Sequence, residues 1–281
     1  MARNERAQWA QLHIDGVMLL ADLAAGASLA RLLEFAGPQL RCFGAAPASS
    51  KPLVIGDFTG RVERGAGCNC SVVTLTPHAN GTHTEGVGHL TAERVDVQGL
   101  IPRRLLTAAL LSIEPELAGD SDEGSSPTPR ADDLLITRRA IERAWPQAPA
   151  PRLNARAAII RTLPNEHDRF TEQRAAAAAP FLSREAAGWL VAHGIEHLVL
   201  DVPSADRGSD GGELTAHRIF FGLPPGSSAL LEAQRPRSTI TELAYVPTDL
   251  ADGWYLLSLQ SPAIAGDAVP SRPVLYPLRT A

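Results

Sequence analysis

Cysteine is scarce in this chain, with three residues in 281, and an odd number argues against a disulfide framework. Cys68-Asn69-Cys70 lacks the second pair that a structural zinc site needs, so reduced, buried thiols are expected there. Long apolar runs are missing too. The best candidate, Val17 to Leu33, is broken by Asp22, Gly26, Ser28 and Arg31, short of the roughly 18 uninterrupted apolar residues of a membrane helix. The N-terminus does not carry the basic-then-apolar order of a signal peptide, and a cytoplasmic location is expected. Basic clusters are absent beyond pairs such as Arg103-Arg104 and Arg138-Arg139. With a net charge of −5, this argues against nucleic acid as a partner, because phosphates call for a basic patch.

What remains is the composition of a globular enzyme. With 44% hydrophobic residues the chain buries a sizeable core, and a single domain over residues 1–281 is expected. Leu53-Val54-Ile55, Val72 to Leu75, Ala157 to Ile160 and His197 to Leu200 have the length and branching of strands. Between the last two runs, Ser183 caps a predicted helix over 184–193 that Gly194 stops. Gly119 to Pro129 reads as an exposed loop, and Ala175 to Ala179 as an alanine tract without chemistry of its own. Pattern alone therefore gives an α/β fold.

The most informative stretch runs from Pro77 to His89, Pro-His-Ala-Asn-Gly-Thr-His-Thr-Glu-Gly-Val-Gly-His, which holds three of the eight histidines and a carboxylate. His83 and Glu85 are two apart, so in extended chain both leave the same face of a strand. There an imidazole nitrogen and a carboxylate oxygen can share one divalent ion. His89 keeps that parity. His78 does not, and only an extra residue, such as a bulge at Asn80-Gly81, would swing it back toward His83.

Gly-Thr-His-x-Glu-x-x-x-His resembles the cyclase family of metal-dependent hydrolases, which includes bacterial kynurenine formamidase and isatin hydrolase and whose signature reads His-x-Gly-Thr-His-x-Asp-x-Pro-x-His. Gly81, Thr82, His83 and His89 match in place. Glu85 stands for Asp, and Val87 for Pro. His78 lies one residue too far upstream, with Ala79 in the matching position. Leu200-Asp201-Val202-Pro203-Ser204-Ala205-Asp206, Leu214-Thr215-Ala216-His217 and Thr239-Ile240-Thr241-Glu242-Leu243 are similar to later family segments. Asp57 to Gly60 and Asp267 to Pro273 extend the similarity over most of the chain.

The resemblance implies a fold of the swivelling β/β/α type, a central mixed sheet flanked by helices. It implies that His217 and Glu242 join His83, Glu85 and His78 as ligands of one or two divalent ions, zinc or manganese. His89 would be the general acid–base. The implied reaction is hydrolysis of an amide or cyclic amide, an aryl formamide such as N-formylkynurenine being the best-known class of substrate. The small-molecule partner aside, the family implies a homo-oligomer, most simply a dimer. Trp145, Trp189 and Trp254 are candidates to stack an aryl ring. The altered signature also leaves open a relative that binds a metal or small ligand without turnover. A cupin-type oxygenase is disfavoured, since cupins need His-x-His where this chain has His-x-Glu.

Overall fold

Short, near-continuous apolar runs build the middle of the molecule, and the computed structural model describes it for residues 8–40, 42–167, 170 and 177–280. The chain opens with β1 (Trp9–Ile14), β2 (Val17–Asp22) and β3 (Ala27–Ser28), then an arm of β4 (Ser49–Pro52), β5 (Val54–Ile55), β6 (Phe58–Thr59) and β7 (Ser71–Thr74). A single helical turn, α1 (Pro77–Asn80), leads into β8 (His83–Gly86). There follow β9 (Leu106–Ile113), β10 (Glu116–Leu117), β11 (Leu134–Ile136), α2 (Arg138–Ala144), β12 (Ala157–Thr162) and β13 (Phe181–Leu182). The last part holds α3 (Arg184–Ala192), β14 (His197–Leu200), α4 (Thr215–Phe221), β15 (Thr239–Glu242), β16 (Gly253–Gln260), β17 (Ala268–Pro270) and β18 (Arg272–Thr280).

One mixed sheet runs β1-β2-β18-β16-β9-β12-β14-β15-β8-β17, with β3 beside β18. Its centre, β9-β12-β14-β15, is parallel, and such strands must be covered on both faces. The sequence obliges. Ala158, Ile160, Leu198, Leu200 and Ile240 face a large core with the helix residues Ile141, Leu190 and Phe220, while Ala157, Ile159 and Val199 face a second core with Leu257 and Leu275. This is the expected central mixed sheet with helices packed on it. The predicted helix is α3: the Ser183 hydroxyl accepts from the Ala186 amide at 2.9 Å. Gly194, at φ 73°, takes the left-handed conformation that ends such helices.

Two local expectations are corrected. Leu53 to Ile55 is not one strand, because β4 ends at Pro52 and β5 starts at Val54. The arm they belong to leaves Val54, Ile55, Phe58, Val72 and Val73 exposed. Cys68 and Cys70 ride on this arm, so Cys68 is exposed and Cys70 only half-buried; Cys42 is the buried thiol. Part of the alanine tract, Ala175 and Ala176, lies outside the described residues.

His197, the first residue of β14, is 4% exposed and shares a 2.8 Å hydrogen bond between Nδ1 and the Thr239 hydroxyl. Burial, then the charges of Arg104 and Arg235, pull its pKa down to about 4. Above pH ~6.5 the ring is neutral whether the chain is folded or not. Between pH ~6.5 and ~4 only the unfolded chain takes up the proton, so stability falls as pH falls, by about 3 kcal/mol in all. In His197→Gln this share of the acid limb is expected to vanish. Equal slopes of stability against pH for the two proteins, measured by urea unfolding between pH 7 and 4, would contradict it.

Candidate metal centre

The site begins with the register of two short strands. β8 runs antiparallel to β15 with His83 opposite Glu242, Thr84 opposite Thr241 and Glu85 opposite Ile240. Period two then puts His83, Glu85 and Glu242 on the sheet face that carries Ile240, the face packed by helices. Thr84 and Thr241 bond each other on the far side at 2.7 Å. All four positions of β8 are buried. The Thr82 hydroxyl donates to the Leu243 carbonyl at 2.7 Å and accepts from the Arg31 amide at 3.0 Å, fixing the start of β8. Leu243 itself has φ 54°, a strained backbone for a branched residue, and it directly follows Glu242.

His217 arrives on α4, so one proposed ligand sits on a helix rather than on the sheet. Asp206 places it. Its Oδ1 accepts from the Ala216 amide at 2.7 Å, and its Oδ2 accepts from the His217 amide at 3.0 Å and lies 2.6 Å from His217 Nδ1. One carboxylate thus caps the first turn of the helix and turns the ring so that Nε2 points at Glu85 Oε1, 2.7 Å away, and Glu242 Oε1, 3.4 Å away. The same 201–206 loop lends the Ala205 amide to Glu242 Oε1 at 2.7 Å. Asp201 at its start accepts from the Thr162 amide and hydroxyl at 2.8 and 3.0 Å. Asp206 belongs to a segment that resembles the family, yet no role could be read for it from the sequence.

His78 also reaches the cluster, but by a different device from the bulge expected. The α1 turn folds the chain at Pro77–Asn80, and His78 Nδ1 comes to 2.9 Å from Glu85 Oε2 while its Nε2 lies 2.9 Å from Asp267 Oδ2. A helical turn changes the parity that an extended strand would have kept. His89 follows β8 on a 3-10 turn rather than on the strand. Its ring lies 4.4 Å from that of His78 and 5.7 Å from that of His217. Its Nδ1 is 3.5 Å from Asp267 Oδ2, and its side chain, 28% exposed, forms the open side of the site with His78 and Asp267. Asp267, just before the edge strand β17, opens a segment that resembles the family, yet no role could be read for it from the sequence.

Gly88 holds His89 in place. A Cβ there would come within 2.5 Å of the Val95 carbonyl oxygen, which is backbone and cannot swing aside. Gly88→Ala is expected to cost about 1–3 kcal/mol by overpacking and to displace His89. An unchanged midpoint of thermal unfolding would show that the turn gives way freely.

The electrostatics demand a cation. Burial by itself would raise the Glu85 carboxyl, but His89, His217 and His78 hold it well below the usual carboxylate range. Burial would lower His83 and His217, yet Glu242 and Glu85 raise His83 to about 9, and Glu85, Asp206 and Glu242 raise His217 well above its ordinary value. Two buried carboxylates therefore require positive charge beside them, which protons on imidazoles or a divalent ion can supply. The donor geometry favours an ion. His83 Nε2, His217 Nε2 and both oxygens of Glu85 are buried without a hydrogen-bond partner, although His217 Nε2 stands 2.7 Å from Glu85 Oε1 and His83 Nε2 3.8 Å from Glu85 Oε2. They are close, but not aligned as hydrogen bonds. Bonds of about 2.0–2.2 Å to one ion would set neighbouring ligand atoms about 3 Å apart. Ligand atoms of His78, His83 and Glu85, and of Glu85, His89 and His217, each lie within 4.8 Å of one another. The residues present thus fit a divalent ion.

A family model described as "Putative cyclase" matches residues 22–207, and the chain belongs to that family. The match contains His78, His83, Glu85 and His89 and stops before His217 and Glu242, which the fold brings to the same place. Solved structures agree in fold. The chain is similar to "predicted metal-dependent hydrolase from Bacillus stearothermophilus", with 15% identity over 89% of this chain and 97% of that one and a TM-score of 0.55. It is also similar to an isatin hydrolase bound to the product analogue thioisatinate, at 15% identity over 90% and 92% with a TM-score of 0.56. Isatin hydrolase A from Labrenzia aggregata, bound to benzyl benzoate, gives 14% identity over 91% and 94% and a TM-score of 0.57. No curated protein matches the sequence.

Proposed function

We propose that this chain is a metal-dependent hydrolase of an amide or cyclic amide, with zinc or manganese held by His83, Glu85, His217 and Glu242 and closed on the open side by His78. The observation that carries the reading is that His217 Nε2 and His83 Nε2 flank the two Glu85 oxygens at 2.7 and 3.8 Å, all four atoms buried and none of them hydrogen-bonded. When bound, such an ion lowers the pKa of water toward neutrality and polarises an acyl carbonyl.

The chain's own groups do the rest. Asp206 keeps the proton of His217 on Nδ1, leaving Nε2 as the donor toward the cluster. The Ala205 amide holds Glu242 Oε1. His89, half-exposed above Glu85, is placed to take a proton from attacking water and return it to the departing nitrogen, with Asp267 beside its Nδ1 to steady the charged ring. The aromatic neighbour of this cluster among the described residues is Phe221, 6.2 Å from His217. Trp145 and Trp189 pack against each other instead, ring centroids 5.0 Å apart.

The test is metal content per subunit in protein purified without a histidine tag, followed by a screen of aryl formamides and lactams such as isatin. One or two equivalents of zinc or manganese with ring opening or deformylation are expected. A protein that stays empty with added metal would sink the hydrolase and leave a non-catalytic ligand binder. The exposed apolar residues of the β4–β7 arm support a homodimer that covers them, and sedimentation showing only monomer at micromolar concentration would remove that part.

A further inference from the structure

A second cleft, of about 900 Å³, opens at the opposite end of β15 from Glu242, beside His197 and Ser238. Its volume falls within the ~300–1,000 Å³ of small-molecule sites. Its walls bring together Arg103, Arg104, Arg235 and Arg237 against a single carboxylate, Glu196. That carboxylate is already engaged. Its Oε1 lies 3.0 Å from Arg156 and its Oε2 3.4 Å from Arg104. Arg103 and Arg237 have no ion pair or side-chain hydrogen bond among the described residues. In a chain of net charge −5, such a concentration of positive charge is not a consequence of composition.

Arg235 makes the cleft a rigid one. Its Nη1 donates to the Phe220 carbonyl at 2.8 Å and its Nη2 to the Ile195 carbonyl, with the guanidinium 4.8 Å from the centre of the Phe220 ring. These partners are neutral, so the half-buried Arg235 has no ion pair of its own and shares only the more distant charge of Glu196 with its neighbours. His197 adds a fixed polar atom, because Thr239 occupies its Nδ1 and Nε2 has no partner among the described residues. Planar guanidiniums facing one space match oxyanions through paired N–H donors.

We propose that this cleft binds a small-molecule polyanion, a ligand with closely spaced phosphoryl or carboxylate oxygens, gripped by Arg103, Arg235 and Arg237. The site is separate from the metal centre, and nothing in the proposal depends on the hydrolase reading. Isothermal titration with pyrophosphate, and separately with citrate, tests it on wild type and on the Arg103→Gln/Arg237→Gln double variant. Neither side chain holds the fold together, so the variant is expected to keep its unfolding midpoint and its metal content. Wild type is expected to bind one equivalent of at least one anion, and the variant about tenfold or more weakly. Tighter binding of pyrophosphate assigns a phosphorylated ligand, and tighter binding of citrate a polycarboxylate. Equal affinity in wild type and variant would place the anion elsewhere, the metal centre included, and overturn the proposal, as would no binding of either anion.

Discussion

Glu85→Gln is expected to leave the purified protein without metal and to lower kcat/KM for hydrolysis of the proposed amide substrate by at least about 10³-fold, some 4 kcal/mol of transition-state stabilisation. The side chain is fully buried and touches three histidines: Oε1 lies 2.7 Å from His217, while Oε2 lies 2.9 Å from His78 and 3.8 Å from His83. Glutamine keeps the shape and removes the charge, so packing cannot account for the loss. Three imidazoles would then face one another with Glu242 and Asp206 as the remaining buried carboxylates beside them. Elemental analysis decides the matter, and a stoichiometric ion in Glu85→Gln would mean that Glu85 is not a ligand. Glu85→Asp, which restores the family's residue, is expected to recover metal but not full turnover, because the carboxylate withdraws by about one methylene.

Asp206→Ala is the second large effect. It removes both the cap of α4 and the group that orients His217, three contacts at 2.6 to 3.0 Å. Buried amides left without acceptors cost about 1–3 kcal/mol each, so a loss of about 2–4 kcal/mol in unfolding free energy is expected. A ligand histidine without its outer partner typically loses 10–100-fold in metal affinity. Competition with a chromophoric chelator reads this directly, and Asp206→Asn, which preserves one acceptor oxygen, separates the two effects. Wild-type metal affinity in Asp206→Asn together with a normal Asp206→Ala midpoint would show that His217 is held by packing alone.

Much of the centre of this fold was legible because its rules are local. Ala157 to Ile160 and His197 to Leu200 are short apolar runs that two packed faces demand, and Ser183 and Gly194 bracket α3 by capping chemistry. His83 and Glu85 were legible by parity. The α1 turn was not, since Pro77 to Asn80 is too short for any periodic signal, and His78 therefore reaches Glu85 by an unforeseen route. The helical setting of His217 rests on Asp206, eleven positions upstream, and on Leu214 at φ 48°, a conformation that side-chain type does not announce. Asp267 meets His78 across 189 positions. That contact exists only through the pairing of β17 with β8, and pairing between distant strands leaves no trace in spacing.

The place of β8 in the sheet has a consequence for the order in which the protein is made. Both its neighbours, β15 and β17, lie far downstream in the chain, and Thr84 waits 157 positions for Thr241. At about 5–20 residues per second, translation leaves the histidine-bearing segment without a partner strand for roughly 8–30 s. During that interval it is a polar, glycine-rich ribbon with an incomplete set of donors. The proposed ligand set is complete only once the ribosome has delivered Glu242, and on that reading metal loading belongs to the end of synthesis rather than to its beginning.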